Sequence, residues 1–121
     1  MKAIAVLLFT LSVSIGFAAA AQEAEEEATF SVAVVPFKNT TGVFVVVDKD
    51  FFAQDARTQQ AWFNDIQECA RGARLRGQVI AVANVKRQFR FYGPKSWHSF
   101  LRGVDMEWVS DRVNKELTCY F

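Results

Sequence analysis

The chain has 121 residues, 51% of them hydrophobic and 22% charged, with a net charge of +1. This composition excludes a disordered or fibrous chain and suits one compact domain with a single core. Two cysteines and one histidine leave no room for a Cys/His zinc cluster, so neither a metal nor a cofactor is expected.

Lys2 is the only charge in the first 22 residues. An apolar run from Ile4 to Phe17 follows it, then Ala18 to Ala21. A basic start, an apolar middle and small residues at the cut are the order of a secretory signal. Residues 1–20 are therefore expected to be a signal peptide cut after Ala20, with Ala21 as the alternative. A permanent anchor is the competing reading, but Ser12, Ser14, Gly16 and the alanine tail favour cleavage. The product is expected in a periplasm or outside the cell, with no membrane span of its own. Residues 21–28 carry four glutamates and no large apolar side chain, a solvated acidic tail. Residues 29–121 make the single domain. In an oxidising compartment, Cys69 and Cys119 are expected to form a disulfide. A reactive Cys69 thiolate activated by Arg71 or Arg74 is the lesser alternative.

The predicted elements follow in chain order. Phe30 to Phe37 and Val43 to Val47 are Val- and Phe-rich strands, joined by the turn-forming Lys38-Asn39-Thr40-Thr41-Gly42. Val43 to Val47 shows no polar alternation, so helices or a second subunit must cover both of its faces. Pro36 removes a ladder donor and places the first strand at an edge there. Asp50 or Asp55 caps a helix with Trp62, Ile66, Cys69, Ala70 and Ala73 on its apolar face, ended by Gly77. Gln78 to Val85 and Gln88 to Tyr92 are strands three and four, with Lys86-Arg87 as their turn. Phe89 and Phe91 share one face of the fourth strand, Arg90 and Tyr92 the other. After Gly93-Pro94, Ser96 caps a short helix bearing Trp97, Phe100 and Leu101. Asp105 caps a last helix with Met106, Val109, Val113 and Leu117 on one face. The order ββαββα predicts an α+β two-layer domain: a four-stranded, mainly antiparallel sheet with helices on one face. The disulfide would then join the ends of the first and last helices.

Residues 69–104 hold eight basic groups and no acidic one, although residues 28–121 as a whole hold 13 basic and 9 acidic. Within that stretch Arg87, Arg90 and Lys95 supply charge, and Tyr92 and Trp97 supply rings. Arginine forks grip anions, and rings stack on planar or sugar surfaces. The expected function is that of a small exported, non-enzymatic binding module. Its partner would be an anionic envelope glycan, a lipid headgroup or an acidic protein; nucleic acid is not expected outside the cytoplasm. The alternative is a small secreted hydrolase using His98, with Ser96, Ser99 and Asp105 close in sequence. No Gly-x-Ser-x-Gly or Cys-x-x-Cys supports it. A homodimer sharing the Val43–Val47 strand is a third reading. Asp48, Asp50 and Asp55 fail the calcium-loop pattern and are better read as helix caps.

Overall fold

The structure, a computed structural model, describes residues 26–121, so the expected leader and residues 21–25 lie outside the described residues. Thr29–Cys119 forms one compact unit; Glu26–Ala28 and Tyr120–Phe121 are assigned to another. Within the latter, Glu26 and Phe121 exchange two backbone hydrogen bonds of 2.8 and 2.9 Å.

The chain builds β1 (Glu27–Phe37), β2 (Thr40–Val46), a 3-10 turn (Lys49–Ala53), α1 (Ala56–Gly72), β3 (Gln78–Val85) and β4 (Gln88–Tyr92). A second 3-10 turn (Lys95–Trp97), α2 (His98–Leu101), α3 (Met106–Ser110) and β5 (Lys115–Tyr120) complete it. The class is α+β. The five strands form one sheet in the order β4-β3-β2-β1-β5. β1 pairs with β2 and β3 with β4 antiparallel, whereas β2 and β3 are parallel, Gly42 opposite Gln78 and Val46 opposite Val82. A parallel pair needs a long crossover, and α1 supplies it.

Three expectations are corrected. The sheet has five strands, because the final segment leaves α3 at Ser110 and runs as a strand from Lys115. Leu117 and Cys119 are buried while Glu116, Thr118 and Tyr120 are exposed, the alternation of a half-covered strand. β1 draws this segment in. Asn114 donates its backbone N–H to the Val32 carbonyl, and its side chain bonds both the N–H and the carbonyl of Val34. The disulfide therefore joins α1 to β5, not helix to helix, with Cα atoms 5.8 Å apart. The first strand also begins at Glu27, three residues before the expected Phe30.

The expectation of two layers with helices on one face is corrected as well: the helices cover both faces of the sheet, so the domain has three layers. β2 and β3 dictate this, since they are apolar at consecutive positions. Val43, Val45, Val79 and Ala81 meet α1 through Phe63, Ile66 and Ala70, with Leu117 and Cys119 in the same cluster. Phe44, Ile80 and Val82 lie in the opposite cluster with Trp97, Leu101, Val104 and Val109. Each fully buried Val, Ile, Leu or Phe among these contributes about 1.5–3 kcal/mol against exposure. Val43, Phe44 and Val45 are fully buried by the chain's own helices, so this strand leaves no apolar face for a second subunit.

Pro36 is accommodated although β1 lies between two strands. Val32 and Val34 direct their backbone groups toward Asn114 at the start of β5. Pro36, two residues further, has the same orientation but lies past the end of that ladder, so its missing N–H costs no bond. Trp62 sits at the margin of the apolar face of α1 and is 41% exposed; Phe63 takes the central place.

Candidate functional site

The predicted binding residues do not form one surface. Arg90 and Tyr92 lie opposite Ala83 and Ala81, hence on the α1 face of the sheet. The Arg90 guanidinium lies 5.4 Å from the Phe52 ring centre. Tyr92 is half-buried between Phe51 and Phe63, and its hydroxyl donates to Gln60 Oε1 at 2.8 Å. Arg87 is at the exposed tip of the β3–β4 hairpin. Lys95 and Trp97 belong to the layer covering the other face. Trp97 is 2% exposed and packs against Phe37, Phe44 and Phe100. Its indole N–H donates to Gln78 Oε1. Gly42 makes room for it: a Cβ there would come within 2.9 Å of the indole. Trp97 is therefore a core ring in this structure, with no face free for a ligand.

His98 meets Phe91 edge to face, centroids 5.3 Å apart, and its Nε2 lies 3.2 Å from the Gly93 carbonyl oxygen. The Asp105 carboxylate accepts the Trp108 N–H as the cap of α3. No hydrogen bond joins His98 to Asp105, Ser96 or Ser99 among the described residues. Cys69 is in the disulfide and is not a free thiol. Among the described residues no group of three or more His, Cys, Asp or Glu could hold a metal ion, and no helix is long and apolar enough to cross a membrane.

The arrangement that does form is at one end of the sheet. Because β2 and β3 are parallel, the β1–β2 hairpin tip, the loop from α1 into β3 and the chain leaving β4 meet there. This gathers Lys38 from the first, Arg71, Arg74 and Arg76 from the second, and Lys95 from the third. All five are exposed. Among the described residues the one ion pair made by any of them is Arg71 with Glu68, at 3.5 Å. The opposite end mixes signs, with Lys86 and Arg87 on one turn, Asp48 and Asp55 capping the other segments and Asp50 in the first turn after Asp48.

The α1–β3 loop has unusual local chemistry. The Leu75 N–H bonds the Ala70 carbonyl at 2.9 Å and the Arg74 N–H bonds the Arg71 carbonyl at 3.0 Å. This is the Schellman ending, whose left-handed residue is normally glycine. Here Arg74 occupies it, at φ 65°. A side chain in that region costs about 1 kcal/mol relative to glycine. Among the described residues, the four non-glycine residues with positive φ are Lys38, Arg74, Lys86 and Arg87, all cations. Beside Arg74 is a cleft of about 470 Å³, lined by Gln67, Ala70, Leu75, Gly77, Val79 and the three arginines.

Sequence reasoning places these arginines in a stretch of one-signed charge. It missed their convergence with Lys38, because only the parallel pairing of β2 and β3 brings them together. The dipole accounts for a cation at Arg71 in the last turn. It does not account for arginine at the glycine position. Against known proteins, no family model, no curated protein and no solved structure matches this chain.

Proposed function

We propose that the protein is a small exported, non-enzymatic module that binds an anionic envelope glycan through the cationic end of its sheet. Lys38 and Lys95 provide the outer charges, and Arg71, Arg74 and Arg76 the inner ones. The observation that carries this reading is the meeting of five cations from three chain segments with one bonded carboxylate among them. Export is supported by the basic-then-apolar amino terminus and by the pairing of the two cysteines.

The test is co-sedimentation of the protein with purified acidic envelope glycan at rising salt, with anionic lipid vesicles and acidic proteins as comparison arms. Lys38→Glu with Lys95→Glu should reduce retention at least tenfold and flatten its salt dependence. Arg87→Glu with Arg90→Glu, toward the other end, should leave retention within about twofold of wild type. Loss following the second pair instead, or equal retention on neutral glycan, would remove the assignment.

A further inference from the structure

The cleft at the end of α1 is more specific than a charged surface needs to be. It is lined by three arginines, Arg71, Arg74 and Arg76, by the apolar Ala70, Leu75 and Val79, and by Gln67. Glu68 compensates Arg71, which leaves the charges of Arg74 and Arg76 without an ion-pair partner among the described residues. Two uncompensated planar forks match a dianion with several oxygens, the chemistry of a phosphoryl group, better than a single carboxylate. At about 470 Å³ the cleft is larger than a bare oxyanion requires and lies within the range of small-molecule sites. The apolar part of the lining suits the carbon face of a ring.

The backbone gives the second observation. Glycine would close α1 with less strain, yet the position holds arginine at φ 65°. Three residues later the chain does use glycine: Gly77 has φ 138°, and a Cβ there would lie 2.5 Å from the Thr41 carbonyl oxygen. Within one short loop, glycine stands where the backbone admits nothing else, and arginine stands where glycine would be the more stable choice. Arg74 thereby lines the cleft from a turn that makes both hydrogen bonds of the Schellman ending.

We propose that this cleft binds a phosphomonoester carried on a sugar-sized group, with Arg74 and Arg76 gripping the phosphoryl oxygens. The proposal rests on reading this end of the sheet as the anion-binding end, and it narrows that reading to one pocket and one ligand class. The loop from Ala70 to Val79 would be the ligand's principal contact.

The experiment is a titration of the ¹⁵N-labelled protein with glucose 6-phosphate, followed by backbone amide shifts, with inorganic phosphate, glucose and glucuronate as comparison probes. Saturable shifts should centre on Arg74 to Gly77, with inorganic phosphate weaker and glucose inert. Arg74→Gly should weaken binding tenfold or more while raising the thermal midpoint, a combination that simple loss of folding cannot give. Arg76→Gln should also weaken binding. Arg87→Gly is the control: it relieves a left-handed residue at the far turn and should raise the midpoint without touching affinity. Unchanged affinity in both Arg74→Gly and Arg76→Gln overturns the proposal. So does tighter binding of glucuronate than of the phosphate ester, or shifts centred elsewhere. If glucose 6-phosphate fails to bind while glycan retention still depends on Lys38 and Lys95, the pocket assignment falls alone. If that retention is absent as well, the reading of the whole end falls with it.

Discussion

The two ends of α1 are built by opposite rules. At its start, local chemistry and charge agree. Asp55 accepts the Thr58 N–H at 2.8 Å, Asp48 caps the 3-10 turn before it, and acidic groups sit where the helix dipole favours them. The rings of Phe51, Phe52, Phe63 and Tyr92 pack there around a conventional apolar seam. At its finish, cations again suit the dipole, but arginine takes the left-handed place of glycine. Where every local preference points the same way, the residues are explained by folding. Where one is broken and a charge is what the break supplies, the charge itself is the thing to explain.

The largest way to test this contrast is through the disulfide, which anchors only the finishing end. Cys69 lies in the penultimate turn of α1 and is tied to Cys119 on β5, across a sequence separation of 50. Closing a loop of that length stabilises by about 4 kcal/mol in the chain-entropy model. Replacing both cysteines with alanine should lower the unfolding free energy by about that amount in denaturant titrations. Amide exchange should rise first in the loop from Ala70 to Gly77, with the Asp55 end protected longer. Equal loss of protection at both ends would show that the disulfide stabilises α1 as a whole and that the finishing end has no separate anchor.

Gly77→Ala should have the next largest effect. The added methyl would meet the Thr41 carbonyl oxygen at 2.5 Å, and φ 138° lies outside the range of other residues. A destabilisation of about 1–3 kcal/mol is expected from strain of this kind. Thermal unfolding measures it directly. If alanine is tolerated at Gly77, the loop is softer than its hydrogen bonds imply.

Part of this contrast was legible in the sequence. β3, β4 and their Lys86-Arg87 turn stand where the alternation of Phe89, Arg90, Phe91 and Tyr92 put them, because strand faces follow from a period of two. The need to cover both faces of β2 could be read from its unbroken apolar run. The carboxy-terminal strand could not be separated from a helix. Met106, Val109, Val113 and Leu117 fit a helical spacing as well as Leu117 and Cys119 fit a strand. Pairing with β1 through Asn114 decided between them, and that contact spans 80 residues. Trp97 stood beside Lys95 and His98 and so resembled a surface ring. Its burial depends on the missing side chain of Gly42, which is distant in sequence. The cationic end was hidden for the same reason, since Lys38 reaches the arginines only through the sheet. Left-handed geometry at Arg74 left no compositional trace, because glycine is the usual signal and it is absent there.

The smallest effect concerns the starting end and is read in pH. The backbone N–H and the side chain of Thr58 both bond the Asp55 carboxylate and hold its pKa below the ordinary aspartate value. A carboxyl group depressed in the folded state is stabilising when ionised. Its contribution is therefore complete above about pH 4, the unfolded value, and is lost as pH falls through the lower folded value. Asparagine caps a helix about as well but does not titrate in this range. The midpoint difference between wild type and Asp55→Asn should favour wild type at neutral pH, then shrink below about pH 4. Thermal scans in steps across the acid range would show it. A difference that stays constant would mean that the carboxylate acts only as a hydrogen-bond acceptor, and that the charge agreement at the start of α1 contributes nothing.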